Sequence, residues 1–216
     1  MDKNKCAIAL FDKHAKTYQD KYMNVDLYGD SLNRFCEATS TEGADILELA
    51  CGPGNVTRYL LDKRPDFKIL GTDLAPSMLE LARNNNPEAE FQLMDCRDIG
   101  RITEKYDGIM CGFCLPYLSK TEAFALIADA SNLLKNNGLF YISTMEDDYE
   151  KSEWKGPSSG GPDQLFLYYH QADYLSEALL ENGFSILDLQ RITYPAADDS
   201  ITTDLILLAQ KQNGPI

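Results

Sequence analysis

Asp45-Ile46-Leu47-Glu48-Leu49-Ala50-Cys51-Gly52-Pro53-Gly54 is the stretch that decides the fold. Its first six residues are a compact apolar run with one internal acid, the composition of a strand covered on both faces. Gly52, Pro53 and Gly54 then break the run. A helical pattern follows, with Val56, Tyr59 and Leu60 on one face. A strand, a glycine turn and a helix in that order open a ligand-binding α/β sheet. Bare backbone at Gly52 and Gly54 lets a ligand approach closely, and the first amides of the helix face the same place.

The same alternation continues downstream. Strands are expected over 67–72, 90–94, 106–111 and 139–143. Between them lie a helix opened by Pro76 and stopped at Asn84-Asn85-Asn86-Pro87, and another carrying Phe124, Ile127, Ala128, Ser131 and Leu134, ended by Asn136-Asn137-Gly138. Strands alternating with helices imply a parallel sheet covered on both faces and, with right-handed crossovers, doubly wound. After a helix over 172–182, strands over 184–193 and 201–209 are separated by the seven residues from Tyr194 to Ser200. A parallel pair needs a crossover of about a dozen residues, so these two form an antiparallel hairpin. The expected fold is α/β, a doubly wound and mostly parallel seven-stranded sheet with an antiparallel C-terminal hairpin. Upstream, Phe11, Ala15, Tyr18 and Tyr22 form one helical stripe, and a second helix spans 27–38.

A single domain over 1–216 accommodates this: a helical cap at 1–43, a cofactor-binding core at 44–145, a lid insertion at 146–170, and a closing helix and hairpin at 171–210. The insertion reads as long and irregular, which is the habit of lids. The 216 residues suffice for one real core, and the net charge of −14 disfavours a nucleic-acid partner. No stretch is apolar enough to span a membrane and the first residues are no secretory signal, so a cytoplasmic enzyme is expected. Nothing in the residues sets an oligomeric state. The six scattered cysteines are expected as free thiols, and no metal site is expected. Cys111-Gly112-Phe113-Cys114 has redox-pair spacing, but Leu115-Pro116 continues a loop where a redox pair would begin a helix.

Two acids narrow the ligand. Asp73 falls at the end of the second strand, where a carboxylate accepts from both hydroxyls of a ribose. Asp95 ends the third strand in the same way. A dinucleotide fingerprint wants a third glycine where Thr57 stands, and Glu48 would oppose a phosphate while suiting an ammonium. The nicotinamide-dependent oxidoreductase is thereby disfavoured.

The stretch 46–54 resembles the first motif of class I S-adenosylmethionine-dependent methyltransferases. The segments 71–79, 91–96, 106–111 and 133–139 are similar to that family's ribose, adenine, fourth-strand and fifth-strand segments, and the resemblance covers roughly 44–210. It implies S-adenosylmethionine as cofactor, S-adenosylhomocysteine as product, and a small-molecule acceptor. It also implies that Glu48, Ala50, Gly52 and Gly54 hold the methionine end, and Asp73 the ribose. Leu74 and Met78 would flank the adenine, Asp95 and Cys96 would meet its edge, and Cys111 would lie beside the sulfonium. Ala75 stands where many members have Ser or Thr, which removes a helix cap. A SAM-binding enzyme of other chemistry and a non-catalytic SAM-binding module are the alternatives on the same scaffold.

Methyl transfer is an in-line displacement that depends mainly on alignment and water exclusion, with a base needed only when the acceptor loses a proton. The candidate bases are the two histidines, His14 and His170. Candidate acceptor contacts are Tyr18 and Tyr22 on the first helix, Phe113 and Tyr117 after the fourth strand, and Trp154 and Tyr169 in the insertion. Aromatic faces there would enclose a flat or cationic acceptor.

Overall fold

The structure is a computed structural model and describes residues 3–156, 163–195 and 201–213. In chain order it contains α1 (Lys3–Tyr22), α2 (Gly29–Ala38), β1 (Asp45–Leu49), α3 (Asn55–Lys63), β2 (Lys68–Asp73), α4 (Pro76–Asn85), β3 (Glu90–Leu93), β4 (Tyr106–Gly112) and α5 (Lys120–Leu133). There follow β5 (Leu134–Met145), β6 (Glu153–Lys155), β7 (Leu165–Leu167), α6 (Ala172–Glu181), β8 (Phe184–Pro195) and β9 (Ile201–Lys211).

Seven strands make one sheet in the order β3-β2-β1-β4-β5-β9-β8. β1 pairs in parallel with β2 and β4, β2 with β3, and β4 with β5. Only β9 is reversed, pairing antiparallel with both β5 and β8. The hairpin read from its short connection is therefore present; its turn, 196–200, lies outside the described residues. Strand order changes direction between β1 and β4, and the crevice at the carboxyl ends of these strands is the binding position of such sheets.

The core lies on both sheet faces. Leu47, Leu49, Ile109, Phe140, Leu205 and Leu207 are covered by α5 and α6, while Ile46, Met110, Tyr141, Ile206 and Leu208 meet α2 and α3. Phe35 of α2 is fully buried there, and truncating such a ring costs about 3–5 kcal/mol. Local signals fix the helix ends. Pro76 occupies the first turn of α4, where its missing N–H costs nothing. Ser119 and Glu122 form a reciprocal capping box on α5, with the Ser119 amide donating to Glu122 Oε2 at 2.8 Å.

Several boundaries differ from the sequence expectation. α2 begins at Gly29, behind a short 3-10 turn at Asp26–Tyr28. β1 stops at Leu49 because Ala50 is left-handed, with φ 51°. β5 begins at Leu134: Leu134 pairs with Tyr106, Leu139 pairs with Gly108, and the intervening residues bulge out through the left-handed Asn137. The insertion is not wholly irregular, since β6 and β7 pair antiparallel as a separate ribbon; 157–162 lie outside the described residues. Leu165 of that ribbon packs on Ala7 and Leu10 of α1. α1 itself is broken at His14, whose φ and ψ of −110° and 16° are not helical.

Candidate functional site

Backbone handedness shapes the loop after β1. Ala50, Gly52 and Gly54 have φ of 51°, 54° and 75°. The two glycines serve different ends. A Cβ on Gly52 would meet nothing nearer than Tyr18 at 3.8 Å, so the space above it is open. A Cβ on Gly54 would lie 2.3 Å from Asn86 Nδ2 and 3.3 Å from Ala82, so this glycine seats α4. The clearance expected at Gly54 is thus taken up by the protein itself, and the fully buried Asn86 donates to its carbonyl at 3.0 Å.

Asp73 ends β2 and ties this loop to the next. Its Oδ2 accepts from the Gly52 amide at 2.9 Å and its Oδ1 from the Ala75 amide at 2.8 Å. Those two amide bonds orient its carboxylate oxygens, and burial raises its pKa against them. Glu48, 2% exposed, accepts from the Thr57 hydroxyl at 2.5 Å. Burial pushes its carboxyl up to about 8, against the lowering effect of the Thr57 hydrogen bonds. Thr57 therefore does more than replace a glycine: it orients the acid of β1.

Two cavities open on this loop. The smaller, about 120 Å³, is lined by Gly52 and Asp73 below, Leu74 and Met78 on an apolar side, and Asp95 and Cys96 at its end. Ala7, Ile8 and Phe11 of α1 roof it. Arg97, which the sequence did not single out, holds Asp95 with Nη2 at 2.6 Å and Nε at 3.0 Å. Burial would raise the Asp95 pKa, but the Arg97 hydrogen bonds and charge outweigh it and the net shift is downward. Cys96 accepts from Cys114 at 3.3 Å between sulfurs. Cys111, expected beside the ligand, is fully buried in the sheet face under α5, and the wall position belongs to its neighbour Gly112. Successive strand residues face opposite ways, which separates the two. Among the described residues, no cluster of three His, Cys, Asp or Glu side chains could hold a metal ion.

The larger cavity, about 420 Å³, shares Ala50, Gly52, Gly112, Phe113, Tyr18 and Tyr117 with the smaller. Phe113 has φ 52°, a strained conformation for an aromatic residue, and its amide donates to both the carbonyl and the hydroxyl of Ser143. Tyr22 and Glu48 also line this cavity, as do Tyr28, Tyr194 and Asp204, three residues the sequence reading passed over. His14 is on the wall at the kink of α1, with Nε2 3.4 Å from Asp163.

The structure keeps three expected residues away from the cavity. In the β6–β7 ribbon Lys155, Leu165 and Leu167 face the cavity. Trp154 pairs with Phe166 in register and stacks edge-on against it on the other face. Strand alternation thus corrects the expectation for Trp154. Tyr169 is nearly buried, and its hydroxyl accepts from Lys155 at 2.6 Å. His170 is fully buried: Nε2 donates to the carbonyls of Leu115 and Leu118 at 3.0 and 3.1 Å, and Nδ1 accepts from the Tyr174 hydroxyl at 2.9 Å. Burial lowers its pKa, so the neutral ring is a clamp on the turn that carries Tyr117. The expectation of a base at His170 gives way to a positioning role, because both nitrogens are occupied away from the cavity.

The crevice at the strand-order switch thus holds one cavity edged by two carboxylates and a second, aromatic one joined to it. Residues 46–138 match the family described as methyltransferase domain. The chain is 30% identical over 137 residues to a malonyl-[acyl-carrier protein] O-methyltransferase of Acetivibrio thermocellus, covering 62% of this chain and 47% of the relative. It is 35% identical over 109 residues to a trans-aconitate 2-methyltransferase of an Enterobacter species, covering 50% and 42%. The chain spans about half the length of the curated relatives it matches. Among solved structures, a Synechocystis magnesium protoporphyrin IX methyltransferase superposes with TM-score 0.70 at 15% identity, covering 98% of both chains. The chain has the fold of class I S-adenosylmethionine-dependent methyltransferases, and its residues 46–138 are similar to the methyltransferase domain family. No helix among the described residues is long and apolar enough to cross a membrane.

Proposed function

We propose that this protein transfers the methyl group of S-adenosylmethionine to a small-molecule acceptor. The observation that carries the proposal is the meeting of the two cavities at Gly52, Gly112 and Phe113. The smaller suits an adenosine. Asp73 presents oriented carboxylate oxygens to ribose hydroxyls, Leu74 and Met78 supply apolar flanks, and Asp95 and Cys96 edge the base. Glu48, held by Thr57, suits an ammonium, whose charge would favour the ionised carboxylate that burial disfavours. When bound, S-adenosylmethionine supplies an electrophilic methyl group on a cationic sulfur.

The chain's own contribution is alignment and the exclusion of water. Phe11, Tyr18 and Tyr117 wall both cavities and keep the junction apolar. Tyr18, Tyr22, Phe113 and Tyr117 are the acceptor contacts. His14, which lines the larger cavity, takes a proton from an acceptor that must lose one. In this reading 1–43 cap the site, 44–145 hold the cofactor, 146–170 form the lid and 171–210 close the sheet, all within one cytoplasmic domain. The net charge of −14 and a cavity of only about 420 Å³ both favour a small molecule over a nucleic acid.

Titration calorimetry with S-adenosylhomocysteine and, separately, NAD tests the cofactor. Binding of the first and not the second is expected. Tight NAD binding without S-adenosylhomocysteine binding overturns the proposal. A metabolite screen with labelled methyl donor then identifies the acceptor.

A further inference from the structure

The larger cavity contains a carboxyl group that methyl transfer as described leaves unused. Asp204 lies on β9, opposite Met145 and Ile192, and is fully buried. Ile206 and Leu208, two and four residues on, belong to the core on the same sheet face, so the fold alone would be served by an apolar side chain there. Its Oδ2 accepts from the Tyr28 hydroxyl at 2.8 Å, and the Tyr194 phenol also stabilises the ionised form. Its Oδ1 is buried and has no hydrogen-bond partner among the described residues. No lysine or arginine ion-pairs with it among them. Burial raises its pKa against the two phenols. A buried carboxyl with one oxygen unsatisfied is destabilising unless something donates to it.

Tyr28, Tyr194 and Asp204 all line the cavity that also contains Glu48 and Gly52. Tyr28 is fixed twice: its ring packs on Phe113 with centroids 5.1 Å apart, and its carbonyl accepts from Ser31. The group is therefore built, and it offers acceptor capacity with no cation of its own.

We infer that Tyr28 and Asp204 form the recognition end of the acceptor chamber and take an acceptor that bears an amine. The free Oδ1 accepts from the amine N–H, and the carboxylate neutralises its charge. A carboxylic-acid acceptor would instead bring like charge against the buried Asp204. The inference rests on methyl transfer, because it assigns the larger cavity to the acceptor. The ammonium of the methyl donor is already provided for at Glu48, so this is a second and separate cation-accepting site.

The test uses matched probes on protein saturated with S-adenosylhomocysteine: phenethylamine against phenylacetate, and tryptamine against indole-3-acetate, each by calorimetry. At least one amine should bind tenfold or more tighter than its matched acid. Asp204→Asn should remove that preference, and Tyr28→Phe should weaken it about threefold. A preference that survives Asp204→Asn, an acid bound as tightly as its amine, or no amine binding overturns the inference. S-adenosylhomocysteine affinity and the thermal midpoint are measured first for each protein. Failure of the wild type to bind S-adenosylhomocysteine sinks methyl transfer itself. Normal binding without an Asp204-dependent amine preference sinks only the acceptor class. Asp204→Asn preserves side-chain shape, and Tyr28→Phe supplies the second arm if that variant does not fold.

Discussion

Replacing Glu48 by Gln should abolish a proton release that accompanies cofactor binding. Burial holds the Glu48 carboxyl at about 8 in the free protein. At pH 7 such a group is protonated in about nine molecules of ten. An ammonium brought beside it favours the charged form and drives the proton off. Binding of S-adenosylhomocysteine should therefore release about 0.9 proton at pH 7, about 0.5 at pH 8 and almost none at pH 9. Calorimetry in buffers of different ionisation enthalpy counts these protons directly. Glu48→Gln should release none and bind more weakly. Equal proton counts for variant and wild type at pH 7 would refute the reasoning. The same shift affects stability. An acid whose pKa is raised on folding stabilises most below its unfolded pKa, and that contribution is lost as pH rises through the folded pKa. For Glu48 the window runs from the ordinary 4.5 to about 8. The loss is at most about 5 kcal/mol, so urea unfolding should show the variant gaining on wild type across that range.

The two glycines of the loop should separate binding from folding. Gly54→Ala drives a Cβ into Asn86 at a left-handed position and should lower stability by about 2–4 kcal/mol in urea unfolding. Gly52→Ala has room and should fold, at a cost of about 1 kcal/mol for its positive φ, yet lose S-adenosylhomocysteine binding in calorimetry; equal effects in the two variants would undo the distinction. His170→Ala removes a buried ring and its three hydrogen bonds, and should cost about 2–4 kcal/mol by thermal unfolding. An unchanged midpoint with lost turnover would instead return His170 to the chemistry. Asp73→Asn should weaken S-adenosylhomocysteine about 30- to 100-fold, about 2–3 kcal/mol, and affinity within threefold of wild type would remove the ribose assignment.

The sheet was legible because apolar runs such as 46–49 and 139–142 alternate with helical patterns and are set off by breakers, Gly52-Pro53-Gly54 after the first and Asn136-Asn137-Gly138 before the second. The hairpin was legible because the connection from Tyr194 to Ser200 is too short for anything else. Asp73 and Asp95 announced themselves at strand ends. What was hidden depends on partners far apart in sequence. Gly52 and Gly54 look alike until α4 is folded against one of them. Thr57 reads as a missing glycine, although its hydroxyl orients Glu48 nine residues away. The outward turn of Trp154 follows from a three-residue pairing, too short to show a period. His170 carries the residue type of a base and the surroundings of a clamp. Asp204 did leave a trace, one acid within the strand 201–209, but that run was used only to place the hairpin.

The break in α1 bears on how the site is walled. Residues 3–13 and 15–22 are two short helical pieces joined at His14. Asn4, Ala7, Ile8 and Phe11 of the first piece cover the donor cavity, and Thr17, Lys21 and Tyr22 of the second cover only the acceptor cavity. Phe11 and Tyr18, one from each piece, line both cavities, so the break at His14 falls between the two side chains of α1 that the chambers share. Donor and acceptor chambers therefore share one wall, and a change in α1 bears on both.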